Sequence, residues 1–144
     1  MDLFVGGAVT PGKFPKHDKC MLLQNNKGVF TDVTAVNAPD LVNTGIVNYA
    51  AWGDVDGDGK NELLVAGEWM PVMILKCDAG KFRKTDATLS INSLSGNKEN
   101  ISMDDLSGWW SVIKLADVDN DGDLDIIAGN RGNNSKIVAT IDEP

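Results

Sequence analysis

The sequence predicts an all-β fold of repeated sheet units, on three observations. Its apolar segments are short and are separated by stretches rich in Gly, Asn, Asp and Ser. None of them carries a convincing 3.6-residue apolar period. One block of sequence also recurs at a fixed spacing, the mark of a repeat architecture. Strands are expected near 19–24, 29–33, 46–53, 62–67, 72–77, 81–84, 109–116, 124–129 and 136–140. Between them lie the turn-rich stretches Thr10–His17, Asn37–Thr44, Ser90–Ser107 and Gly129–Ser135.

The repeat is legible residue by residue. Asp54, Val55, Asp56, Asp58, Gly59 and Glu62 meet Asp117, Val118, Asp119, Asp121, Gly122 and Asp125 at an offset of 63 (117 minus 54). The offset holds without a gap from Thr44 to Leu64. A third copy opens the chain, where Asp2-Leu-Phe-Val-Gly6 parallels Asp125-Ile-Ile-Ala-Gly129, so that Asp2 is expected to be the last acid of a loop begun upstream. A second shared piece follows the first. Met21–Phe30 parallels Met73–Phe82, each an apolar strand, a turn ending in Gly28 or Gly80, and a return strand. The runs Leu63–Ala66 and Ile126–Ala128 are continuously apolar, as in strands buried on both faces. Several strands per unit of about 60 residues indicate a partial β-propeller. The chain is expected to be one propeller fragment, with blade pieces near 1–43, 44–106 and 107–144.

The net charge of −8 disfavours nucleic acid, whose phosphates need a basic footprint. The position of the acids is more informative than their sum. Nine of the 21 fall in Asp54–Glu62 and Asp117–Asp125, where carboxylates so crowded repel one another unless a cation intervenes. Positions 1, 3 and 5 of each loop (Asp54, Asp56, Asp58; Asp117, Asp119, Asp121) put three carboxylates inside a tight turn. Gly59 and Gly122 at position 6 permit the reversal. Lys60 and Asp123 at position 7 offer backbone carbonyls, and Glu62 and Asp125 at position 9 close the shell. Hard oxygen ligands in this number suit Ca2+, one ion per loop. An EF-hand would need Glu at position 12 and flanking helices, whereas position 12 here is Val65 or Ala128. Without that ligand the expected Kd is about 10⁻⁴ to 10⁻³ M.

Other candidates have plainer readings. His17 is the lone histidine, so no catalytic triad or histidine metal site assembles around it. Cys20, in a predicted strand, and Cys77, at a hairpin turn of the next blade, are expected as ordinary small buried residues, with a disulfide in an oxidising compartment as the alternative. Trp52, Trp69, Trp109 and Trp110 are expected to fill the core, Trp109 and Trp110 on opposite sheet faces, with a sugar-stacking platform as the alternative. Asp104 and Asp105 form a solvated turn rather than an acid–base pair. The longest uncharged apolar run, Trp69–Leu75, is too short to span a bilayer and contains Pro71.

Segments Asp54–Gly67 and Asp117–Asn130 resemble the calcium-binding repeats of the FG-GAP/VCBS class, found in integrin α-chain propellers. Asp2-Leu-Phe-Val-Gly-Gly7, Pro11-Gly-Lys-Phe-Pro15, Gly28-Val-Phe-Thr-Asp-Val-Thr34, Gly67-Glu-Trp-Met-Pro71, Ser107-Gly-Trp-Trp110 and Gly129–Lys136 are more similar to bacterial VCBS-repeat propellers of the cartilage-acidic-protein-like (ASPIC/UnbV) type. The resemblance implies a seven-bladed propeller of roughly four-stranded blades, secreted or held in the cell envelope. It implies structural calcium on the ten loop residues named above. The expected function is non-enzymatic recognition or adhesion toward a glycan or an envelope protein. A calcium-dependent propeller lyase or hydrolase acting on polysaccharide is the alternative, and a purely structural scaffold the third. An open stack of blades leaves strand edges bare, so the chain is expected to self-associate.

Overall fold

In a computed structural model, residues 2–92 and 98–131 are described; the strand expected at 136–140 lies outside them. Every strand pair is antiparallel. β1 (Leu3–Val5), β2 (Met21–Asn26) and β3 (Val29–Asp32) form one meander. β4 (Ile46–Gly53), β5 (Glu62–Met70), β6 (Met73–Asp78) and β7 (Lys81–Lys84) form a second, of four strands. β10 (Gly108–Ala116) and β11 (Asp125–Asn130) begin a third. β10 joins the second meander by pairing Gly108 with Met70 and Trp109 with Glu68, at the far end of β5. The fold is all-β and that of a partial propeller.

The sequence repeat is a repeat of register. Gly53 faces Glu62 and Tyr49 faces Ala66; 63 residues later Ala116 faces Asp125 and Val112 faces Gly129. Even the bulges correspond, at Val47/Tyr49 and Trp110/Val112. The hairpins correspond too. Leu3 pairs Leu23 as Leu63 pairs Leu75, and Asn25 pairs Phe30 as Cys77 pairs Phe82. Both hairpin turns place two residues in the left-handed region, Lys27–Gly28 and Ala79–Gly80, the backbone of a tight turn matched to strand twist.

β5 is the buried axis of the structure. Leu63 and Val65 face one core with Leu22, Leu41 and Leu75, while Leu64 and Ala66 face another with Val72 and Ile113. All four β5 residues are fully buried, which explains their unbroken apolar run. The parallel expectation for Ile126–Ala128 is corrected. Ile127 is 49% exposed, because among the described residues β11 pairs only with β10 and nothing packs on its second face. Trp110 does turn to the second core, and Trp109 to the opposite side, as alternation requires.

Two irregular stretches also differ from expectation. Asn37–Thr44 begins at the last residue of a one-turn helix, α1 (Thr34–Asn37), and contains a 3₁₀ turn over Pro39–Leu41. Ser90–Ser107 is not simply turn. It shares a hairpin, β8 (Thr88–Asn92) with β9 (Lys98–Ser102), and a 3₁₀ turn at Met103–Asp105.

Thr34 ties the first meander to α1. Its hydroxyl accepts from the Leu22 backbone N–H at 2.8 Å and donates to Asp32 Oδ1, which also accepts the Thr34 N–H at 3.0 Å. These bonds hold the Asp32 carboxyl below the usual aspartate range. Thr34→Val is therefore expected to destabilise by about 1–3 kcal/mol, since it strands a buried N–H. A depressed carboxyl adds stability that is present above the ordinary aspartate pKa and lost as pH falls through the lowered native value. The gap to wild type in urea melts should narrow in acid without closing, because the Leu22 N–H stays unpaired.

Candidate metal centres

Each acidic loop links the first two strands of a meander, Gly53 to Glu62 between β4 and β5, and Ala116 to Asp125 between β10 and β11. The strand ends are paired on both sides, so the loop has its ends fixed about one inter-strand spacing apart. Within that closure the first carboxylate of each loop becomes a backbone clamp. Asp54 accepts N–H bonds from Asp58 (3.1 Å) and Gly59 (2.8 Å), one on each oxygen. Asp117 accepts them from Asp121 (3.1 Å) and Gly122 (3.1 Å). Asp56 and Asp119 accept from the same N–H groups of Asp58 and Asp121, each at 3.3 Å. Asp58 accepts from Lys60 N, as Asp121 does from Asp123 N. Glu62 accepts from Val55 N at 3.0 Å, and Asp125 from Val118 N at 2.8 Å. Five hydrogen bonds thus recur at one offset.

Position 6 is left-handed, with Gly59 at φ +83° and Gly122 at +99°. Position 4 is also left-handed, and there the residues are Gly57 (+73°) and Asn120 (+62°). Sequence reasoning assigned no role to position 4, although Gly and Asn are the residues that reach this region most readily. A Cβ on Gly57 would lie 4.0 Å from Asp123 Oδ1, so the two loops are neighbours.

The carboxylates converge, but not identically. In the first loop Asp54, Asp56 and Asp58 each place an oxygen within 4.8 Å of the others; in the second, Asp117, Asp119 and Asp125 do. Glu62 and Asp121 stand outside these groups and hold the backbone instead. Burial differs as well: Glu62 is 1% exposed, whereas Asp125 is exposed. Two lysines enter the first loop. Lys60 Nζ lies 3.7 Å from Asp58, and Lys76 on β6 bonds Asp56 directly. That bond holds the Asp56 carboxyl below its usual range and raises Lys76, to which Glu62 and Asp58 add attraction. Lys76 was not singled out from the sequence, since nothing local in the chain connects it to a loop 20 residues earlier.

The donor set is oxygen throughout, from short side chains already oriented by backbone N–H groups. Such a set fits a hard divalent cation, with Asp54, Asp56 and Asp58, and Asp117, Asp119 and Asp125, as its carboxylate holders.

The remaining candidates fall elsewhere. Cys20 is buried and accepts from Gly7 N–H and the Thr44 hydroxyl; Cys77 is half-buried on β6, and both thiols are free. His17 forms an isolated bridge with Val9 and is half-buried. Asp104 pairs with Lys84 in an exposed turn. No described helix is long and apolar enough to cross a membrane.

Residues 1–65, which include the first acidic loop, match the family model of an FG-GAP-like repeat. Over that stretch the chain carries an FG-GAP-like repeat. No curated protein and no solved structure matches it. An FG-GAP repeat is a β-propeller-type unit, and the four-stranded meander β4–β7 supplies a blade of that kind.

Proposed function

We propose that this protein is a calcium-stabilised propeller module for recognition, acting outside the cytoplasm and without catalysis of its own. The observation that carries the calcium reading is the recurrence of five loop hydrogen bonds at one offset in two neighbouring acidic loops. Turn chemistry alone has no need to repeat three converging carboxylates on each loop. Calcium would be held by the converging carboxylates of Asp54, Asp56 and Asp58, and of Asp117, Asp119 and Asp125, with Glu62, Asp121 and the Lys60 and Asp123 carbonyls turning in to complete the two shells. The ion's role is to neutralise the carboxylates and stiffen the turn. The extracellular setting rests on the FG-GAP repeat, a module typical of extracellular proteins and generally without enzymatic activity.

Recognition has a surface to work with. Phe14 and Trp69 pack at 5.2 Å between ring centres, Trp69 meets Trp109 at 5.6 Å, and Arg131 lies over Trp109. Phe14 and Trp69 wall a cavity of about 380 Å³ whose polar edge is Glu68 and His17. Trp69 sits at φ +54°, a left-handed backbone uncommon for a bulky side chain and found where neighbouring structure enforces it. Flat aromatic faces beside a carboxylate and an imidazole suit a sugar ring, and a glycan is the partner this reading favours.

Isothermal calorimetry tests the calcium claim directly. We expect two calcium ions per chain, with Kd on the order of 10⁻⁴ to 10⁻³ M, and weaker binding of magnesium, which prefers to keep its waters. A chain that takes up no calcium at 10 mM ends the proposal.

A further inference from the structure

The two loops share a backbone and a hydrogen-bond scheme, so what differs between them is informative. The first carries four acids (Asp54, Asp56, Asp58, Glu62) and is met by two ammonium groups, Lys60 and Lys76. The second carries five acids (Asp117, Asp119, Asp121, Asp123, Asp125), and among the described residues no lysine or arginine is ion-paired to it. Lys60 is part of the loop and reaches only Asp58, at 3.7 Å. Lys76 is different. It comes from β6, the strand beside β5, and its Nζ bonds Asp56 Oδ2, one of the three converging carboxylates. Its neighbours Leu75 and Cys77 pair with Lys84 and Phe82, so the register of β6 against β7 fixes where Lys76 stands.

We propose that Lys76 is a tethered cation of the first loop, occupying Asp56 when calcium is scarce and competing with the ion for it. This rests on the calcium reading above. The first loop then fills only at calcium high enough to displace Lys76. The competition is local, because a salt bridge to a ligand must be broken before that ligand can turn to a metal, and a charge-assisted hydrogen bond is stronger than a neutral one. The same ammonium relieves carboxylate repulsion in the calcium-free loop, which the second loop has no described lysine or arginine to do.

The test is calcium calorimetry on the full chain with one loop silenced at a time. Asp119→Asn leaves the first loop to be read, and Asp56→Asn leaves the second. In the Asp119→Asn background, Lys76→Met is expected to tighten calcium binding about tenfold, the scale of one lost charge-assisted bond. Lys76→Arg, which keeps a cation at that place, should restore the weak affinity. In the Asp56→Asn background Lys76→Met should change nothing. Melts in chelator check that the variants fold; Lys76 is half exposed, and its loss leaves the core untouched. The proposal is overturned if Lys76→Met leaves the first loop within twofold of its starting affinity, or tightens the second loop equally. It also falls if the wild-type chain binds no calcium at all, and that outcome removes the calcium reading itself, so the two failures are distinguishable.

Discussion

Gly67→Ala is expected to lose a large share of the protein's folding stability. A Cβ built on Gly67 would lie 1.9 Å from the Ile46 carbonyl oxygen and 2.8 Å from its carbon, with Met70 Sδ at 2.9 Å on another side. Two of the three obstacles are backbone, so no side-chain rotation relieves the clash. The strand itself would have to move. Gly67 faces Val47 just before the bulge at Val47/Tyr49, where β4 swings close to β5, and β5 is buried on both faces. Displacing it disturbs both cores at once. Overpacking of this kind costs about 3 kcal/mol or more, a large share of the 5–15 kcal/mol that holds a domain together. Gly80→Ala is the matched control. Gly80 sits at φ +77° with nothing within 4 Å of its missing Cβ, so that change should register only the backbone penalty of about 1 kcal/mol. Urea melts of the two variants separate steric from torsional cost. A Gly67→Ala chain as stable as Gly80→Ala would mean that β4 and β5 do not approach as described.

Gly67 also shows where a sequence speaks and where it is silent. The offset of 63 is plain in the letters, and the strand register repeats with it, from Val47 facing Gly67 to Gly53 facing Glu62 and from Trp110 facing Asn130 to Ala116 facing Asp125. The close approach at Gly67 was not plain, since a glycine reads alike as turn, bulge or contact until the partner strand is known. The hairpin β8–β9 was missed for a different reason. Lys98-Glu-Asn-Ile-Ser102 has one apolar residue in five, so it carries no alternation to detect, and only its pairing with Thr88–Asn92 makes it a strand. In the loops the ligand types and the position-6 glycines were legible because they obey local geometry. That Glu62 is buried beneath its loop, that Asp121 holds backbone, and that Lys76 reaches Asp56 are consequences of neighbouring strands, which no local pattern encodes.

Calcium is expected to raise the melting temperature, and the size of the rise follows from mass action. An unfolded chain cannot hold the carboxylates together, so the ion binds the native state alone and stabilises by RT ln(1 + [Ca]/Kd). At 10 mM calcium and a Kd of about 10⁻⁴ M that is about 2.7 kcal/mol per loop; at about 10⁻³ M it is about 1.4 kcal/mol. Two loops together give roughly 3–5 kcal/mol, or a shift on the order of 10 °C for a chain of this size. The neutral substitutions Asp56→Asn and Asp119→Asn dissect it while keeping an acceptor for the Asp58 and Asp121 N–H groups. Each should remove one loop's share, and the pair nearly all of it. In chelator their signs should differ. Asp119 lies within 4.8 Å of two other carboxylates and has no lysine partner among the described residues, so neutralising it relieves repulsion and should stabilise the calcium-free chain. Asp56 is paired with Lys76, so neutralising it breaks that pair and should not stabilise. Added sodium chloride should likewise favour the calcium-free wild type by screening the second loop's crowded charges. Scanning calorimetry reads all of these. If calcium left the melting curve of the wild type in place, or Asp119→Asn destabilised the calcium-free chain, the clustered aspartates would be turn formers that never needed an ion.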